Sequence, residues 1–113
     1  MAKKTIIGLT AKIEIVGKGK SKILTARVDT GAEICSMDEH LAKGLNLGPI
    51  EKMKKIKSAH GIKHRPVVRA NVMISGRKFE KVRFTLADRK HLKYAVLVGQ
   101  NILKHGFLID PSK

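Results

Sequence analysis

Tryptophan is absent, and aromatic residues make up only 4% of the 113-residue chain. A single-strand nucleic-acid binder that stacks bases on rings has little to work with here, although contacts to phosphate alone stay open. Cys35 is the single cysteine, which excludes an intrachain disulfide and a multi-cysteine zinc ribbon. No apolar run approaches the roughly 20 residues of a membrane helix, and no signal-peptide core opens the chain. A cytoplasmic protein without a membrane partner is the expectation. Acids are also scarce: 9 Asp and Glu stand against 24 Lys and Arg, a formal charge of +15.

A hydrophobic fraction of 42% with 10 glycines suits a folded domain rather than a disordered basic tail. The length predicts one domain over residues 1–113, with one core. A surface this basic favours polyanionic partners, including non-specific binding of nucleic acid. The charge is uneven. Asp29, Glu33, Asp38 and Glu39 fall within eleven residues, while 52–57 reads Lys-Met-Lys-Lys-Ile-Lys. The basic run reads equally well as a solvated strand face.

Strand signals dominate the chain. Ile13 and Ile15 alternate with Lys12 and Glu14, 17–20 is a turn, and Ile23–Val28 reads as a buried strand ending at Asp29. Val68, Ala70, Val72 and Ile74 share one strand face, with Arg65, Val67, Arg69 and Asn71 on the other. A turn at 75–77 leads into Val82, Phe84 and Leu86 on alternate positions, so a hairpin with one apolar face is predicted. Residues 94–98 and 107–110 predict two more strands. Ser36-Met37-Asp38-Glu39 has the form of a capping box, which predicts a short helix through Leu41 and Leu45, limited by Gly44, Gly48 and Pro49. Gln100–Lys104 predicts one more helical turn. Many short strands with one or two small helices point to an all-β barrel or sandwich.

The stretch that carries chemistry is Ala26-Arg27-Val28-Asp29-Thr30-Gly31-Ala32. An apolar strand delivers a carboxylate rigidly into a turn. Thr30 offers a local hydrogen bond, and Gly31 permits close approach by substrate or by a second carboxylate. Alone, the triplet also fits an ordinary Asx-type turn.

In its context this segment resembles the retropepsin-like aspartic proteases, where Asp-Thr-Gly-Ala follows a hydrophobic strand. A later apolar strand running into Gly99-Gln100-Asn101 and a short helix matches the same pattern. More narrowly, the chain is similar to the RimK-associated subfamily often labelled "ATP-dependent zinc protease". That similarity rests on 26–32, His64-Arg65-Pro66-Val67-Val68-Arg69, Leu86-Ala87-Asp88-Arg89 and Phe107-Leu108-Ile109-Asp110-Pro111. The resemblance implies a single retropepsin-like closed barrel, a homodimer that brings two Asp29 carboxylates together, and an aspartic endopeptidase that needs no cofactor or metal. It further implies that Thr30 and Gly31 brace the dyad and that Ala32 and Glu33 meet substrate. The hairpin near His60 and Gly61 would close as a flap, and Thr5–Leu9 and Phe107–Asp110 become candidate interface strands. One departure stands out: Gln100 replaces an arginine that pairs with the acid at the position of Glu33, so a single, weaker Gln100–Glu33 hydrogen bond is expected.

Strand alternation puts Arg27 on the side of Asp29, where a guanidinium suits a carboxylate side chain. Arg65 and Arg69 share a strand face and extend the same preference if that face borders the cleft. An acidic, glutamate-rich peptide or tail is therefore the expected substrate. For zinc, His60 and His64 lack the glutamate of a His-Glu-x-x-His helix and would sit about 13 Å apart on a strand. His40, His91 and His105 form no recognisable ligand set. Cys35 reads as a small core residue rather than a nucleophile. Three alternatives stay open: an RNA- or ribosome-binding barrel without catalysis, a zinc-dependent peptidase, and a degenerate protease fold used for dimerisation or peptide binding.

Overall fold

Alternation of apolar and polar residues over the first half of the chain builds a strand pair directly. In a computed structural model that describes residues 3–113, β2 (Thr10–Val16) and β3 (Ser21–Val28) pair antiparallel, with Ile13 opposite Leu24. Ile13 and Ile15 point inward and are fully buried, while Lys12 and Glu14 flank them toward solvent.

The remaining strands close this pair into a barrel. β4 (Cys35–Asp38) lies between β8 (Val96–Val98) and β7 (Arg77–Ala87), and β6 (Gly61–Ile74) runs antiparallel to β7. β3 joins β8 in parallel, and β2 closes the circle by pairing with the end of β6, Ile13 opposite Ile74. The order β2-β3-β8-β4-β7-β6 therefore returns to β2 and leaves no open edge in the barrel. Inside sit Ile13, Ile15, Val72, Phe84, Val96 and Ile102, each buried. Each such side chain contributes roughly 1.5–3 kcal/mol on burial, which is what holds short strands of poor local stability in place.

Two elements leave the barrel. β5 (Lys52–Ser58) pairs with the first half of β6 from Lys52–Val67 to Ser58–Gly61, making a hairpin that projects outward. β1 (Thr5–Ile7) and β9 (Phe107–Ile109) form a separate parallel pair. That pair is fastened to β7 by Arg77, which donates to the Gly106 carbonyl at 2.8 Å and lies over the rings of Phe79 and Phe107. Within one chain, Thr5–Ile7 of the candidate interface segment Thr5–Leu9 thus pairs with Phe107–Ile109 of the other, Phe107–Asp110.

The helix after β4 corrects one expectation. Ser36 is no cap but a strand residue, opposite Thr85 and Leu97. The cap of α1 (Glu39–Gly44) is Asp38, whose carboxylate accepts from the His40 N–H at 3.2 Å. Pairing with two neighbouring strands outweighs the local signal. The second helix, α2 (Gln100–Leu103), is a single turn with Ile102 and Leu103 buried.

Candidate active site

β3 ends against β8, and that junction fixes the Asp-Thr-Gly loop. The Asp29 N–H donates to the Val98 carbonyl at 2.9 Å, and the Ala32 N–H returns to the Asp29 carbonyl at 3.2 Å. The carboxylate is oriented by the Gly31 N–H, which donates to Oδ1 at 3.0 Å. α2 supports the loop from behind: the Gln100 N–H donates to the Ala32 carbonyl and the Asn101 N–H to the Glu33 carbonyl, at 2.8 and 3.2 Å.

Gln100 does not meet Glu33 through its side chain, as the sequence led us to expect. Its Nε2 donates to the Thr30 carbonyl at 2.8 Å instead. A neutral amide has no strong pull toward a carboxylate, so the orphan backbone carbonyl within reach takes it. The short side chain thus braces the triplet itself.

Deeper in, Cys35 and Asn101 lock α2 to the barrel. Asn101 Oδ1 accepts from the Cys35 N–H at 2.9 Å and its Nδ2 donates to the Arg83 carbonyl at 3.0 Å. Cys35 Sγ donates to Asn101 Oδ1 and accepts from the Gly99 N–H. Burial pushes the thiol up to about 11, against a partial lowering by those backbone hydrogen bonds. Such a thiol stays protonated at neutral pH and acts as packing, in line with its reading as a core residue.

Two cavities meet the loop. One of about 690 Å³ is lined by Gly31, Ala32 and Glu33 on the loop side, by Lys54–Lys57 and Arg65 from the hairpin, and by Arg89 and Leu92. The other, about 390 Å³, contains Arg27, Asp29, Thr30, Arg89, Leu92 and Tyr94. His60 and Gly61 lie at the tip of the hairpin, with Gly61 at φ +111°, and the cavity wall comes from the stem below them. Strand pairing sets Lys54 opposite Arg65 on the face turned toward the cavity.

Arg69 does not join them. It holds Glu51 with Nε and Nη2 at 2.5 and 3.0 Å, and Arg83 reaches the same carboxylate at 3.1 Å. The hydrogen bond from Arg69, helped by both positive charges, holds Glu51 down at about 2. The guanidinium is committed outside the cleft. By contrast, Arg27 makes no ion pair among the described residues and stays exposed beside Asp29.

Arg89, the last residue of the Leu86-Ala87-Asp88-Arg89 stretch, borders both cavities. Its backbone N–H donates to Asp38 Oδ1 at 2.8 Å and its Nε to the Tyr94 carbonyl at 3.0 Å. Burial lowers its pKa, as do the charges of Arg65 and Arg27, against the opposing pull of Asp38 and Asp29. No local sequence signal marks it, because Asp38 and Arg89 are 51 residues apart. The donor set for zinc is not assembled: among the described residues, no three His, Cys, Asp or Glu side chains are grouped to hold a metal ion.

A closed six-stranded barrel with a carboxylate loop at one strand end and a hairpin beside it defines a retropepsin-like, acid-protease-type fold. Residues 37–113 match the family described as "RimB-like: Retropepsin-like aspartic endopeptidase RimB", and the chain belongs to that family. The match begins after the Asp29 loop, so it is carried by the hairpin, the later strands and the C-terminal segment. A crystal structure of a Legionella pneumophila protein of unknown function superimposes with a TM-score of 0.65 at 22% identity, covering 96% of this chain and 94% of that one. That likeness concerns the fold. No match is found among curated proteins.

Proposed function

We propose that the protein is an aspartic-type peptidase whose active site is completed by a second copy of the chain and whose substrates are acidic peptides. The observation that supports this reading is the placement of the Asp29 carboxylate at the end of β3, in a loop held by β8 and α2, within a chain that supplies one such Asp-Thr-Gly loop. Asp29 is oriented by the Gly31 N–H, and the Thr30 side chain beside it is exposed, on the surface where a second loop would come. A Cβ added at Gly31 would meet only Asp29 Oδ1, at an ordinary 3.4 Å. One chain therefore does not require glycine there. A second loop approaching across a two-fold axis does.

With both carboxylates in place, one takes a proton from water as the water oxygen attacks the scissile carbonyl carbon. The protonated partner's Asp29 hydrogen-bonds the carbonyl oxygen. Collapse of the tetrahedral adduct breaks the C–N bond, and a proton passes to the leaving amine. One water is consumed and an acid and an amine are released. Substrate acidity follows from the walls: Lys54, Lys55, Lys57, Arg65, Arg89, Arg27 and Lys93 line the two cavities and outnumber the acids there, Glu33 and Asp88 besides Asp29 itself.

Asp29→Asn is expected to abolish cleavage of a glutamate-rich peptide while leaving the thermal melt in place. Wild-type activity should follow a bell-shaped pH profile and survive EDTA. Full activity in Asp29→Asn, or loss of activity on chelation, would overturn the assignment.

A further inference from the structure

We propose that Arg89 is the specificity-determining residue of the cleft, the group that reads a carboxylate side chain of the substrate next to the scissile bond. The inference rests on the acidic-peptide reading above and goes beyond it by choosing one cation among the seven that line the two cavities.

Position comes first. Arg89 is the cation shared by both cavities, so a chain lying from the Asp29 loop toward the hairpin passes it. Anchoring comes second. Its main chain is pinned by Asp38, itself buried at the start of α1, and its Nε is pinned by the Tyr94 carbonyl. Those bonds fix the plane of the guanidinium and leave both terminal nitrogens without a partner among the described residues. A planar fork with two unused donors matches a carboxylate in bidentate geometry.

The third point is electrostatic. Arg89 is partly desolvated and faces Arg65 and Arg27, with Asp38 and Asp29 as the opposing charges. A bound carboxylate relieves that crowding, whereas a neutral side chain leaves it in place. The rival cations lack one or more of these features. Arg27 and Lys93 line one cavity, Lys54, Lys55, Lys57 and Arg65 the other, and among the described residues none of these side chains is held by a hydrogen bond as Arg89 is by Tyr94. Ordering a long side chain that nothing holds costs rotamer entropy on binding that the pinned Arg89 has already lost.

The test compares kcat/KM for two peptides that differ only by Glu or Gln beside the scissile bond, using the full chain. Wild type is expected to prefer Glu. Arg89→Gln should reduce that Glu-over-Gln ratio by about ten-fold or more, as a site that loses its fixed hydrogen-bonding group does. Arg89→Lys, which keeps charge but not the fork, should fall between, and Arg27→Leu should lower the ratio less than Arg89→Gln does. If Arg89→Gln fails to fold, the Arg89→Lys ratio decides. An unchanged ratio in a folded Arg89 variant, or a collapse of the ratio in Arg27→Leu alone, overturns the assignment of Arg89. A wild-type enzyme that cleaves both peptides equally overturns the acidic-substrate reading itself, and the two failures are thereby separable.

Discussion

Gly31 and Gly99 sit at neighbouring strand ends, yet their environments differ. At Gly99 a Cβ would fall 2.8 Å from the Ala32 carbonyl oxygen and from the Ile34 backbone, contacts that rigid main chain cannot yield. Gly99→Ala is therefore expected to destabilise the chain by about 1–3 kcal/mol in denaturant titration, the usual cost of forcing atoms into a packed site. Gly31→Ala should melt close to wild type under conditions that favour single chains, yet lose peptidase activity, because in the proposed dimer the added methyl would meet the second loop. Loss of stability in Gly31→Ala as large as in Gly99→Ala would contradict that. At this scale the Asp29-Thr30-Gly31 triplet was legible in the sequence, since strand, carboxylate and glycine are adjacent in the chain. Arg89 was not, because its anchors come from Asp38 and from the Tyr94 carbonyl across a loop. The same limit applies to Gln100. Its replacement of an arginine was visible, but the choice of the Thr30 carbonyl over Glu33 depends on backbone that only the folded loop presents.

Among the elements, the hairpin of β5 and β6 matters most to the site. It carries Lys52, Lys54, Lys55, Lys57, Lys63 and Arg65 and no acid. Its base is tied to the barrel by Glu51, gripped by Arg69 of β6 and Arg83 of β7. The folded-state value of Glu51 lies below its unfolded value, so its contribution to stability is present above the unfolded pKa and lost as pH falls. From the value of about 2 against an ordinary 4.5, the loss spans that interval. Wild type and Glu51→Gln should accordingly differ in melting temperature near neutral pH and converge as pH approaches 2. A difference that persists undiminished at pH 2 would show that the carboxylate charge is not responsible. The hairpin of β6 and β7, with its turn at 75–77, was legible from alternation. β4 was not: a strand of four residues held by two neighbours has too little period of its own, and the Ser36–Glu39 cap pattern competed with it. The Lys-rich run was ambiguous for a related reason, since a strand with lysines at both alternations, 54 to 57 all bordering the cavity, shows no apolar alternation.

For the molecule as a whole, +15 acts over distances longer than any single contact. Cleavage of an acidic peptide should slow as salt is raised, through a fall in kcat/KM, while a neutral peptide of the same length should be far less affected. Equal salt sensitivity for both would remove electrostatic steering. Salt-sensitive, non-specific binding of RNA is the expected by-product of the same charge, and tight sequence-selective binding at physiological salt would favour the nucleic-acid reading. An all-β barrel or sandwich was legible at this scale because strand and turn signals recur along the chain, and the choice of a closed barrel came with the resemblance carried by 26–32 and the later blocks. The internal pairing of β1 with β9 was not, since nothing in two three-residue strands says whether the partner is the same chain or another.

The claim that the site needs Asp29 from two copies has a direct test in mixed subunits. Wild-type and Asp29→Asn chains, co-expressed in equal amounts and purified together, pair at random into a two-fold dimer. If both carboxylates are required, activity per total protein should drop to about one quarter of wild type, because only wild-type pairs retain the dyad. Activity at one half, the value expected when each chain works alone, would contradict the account.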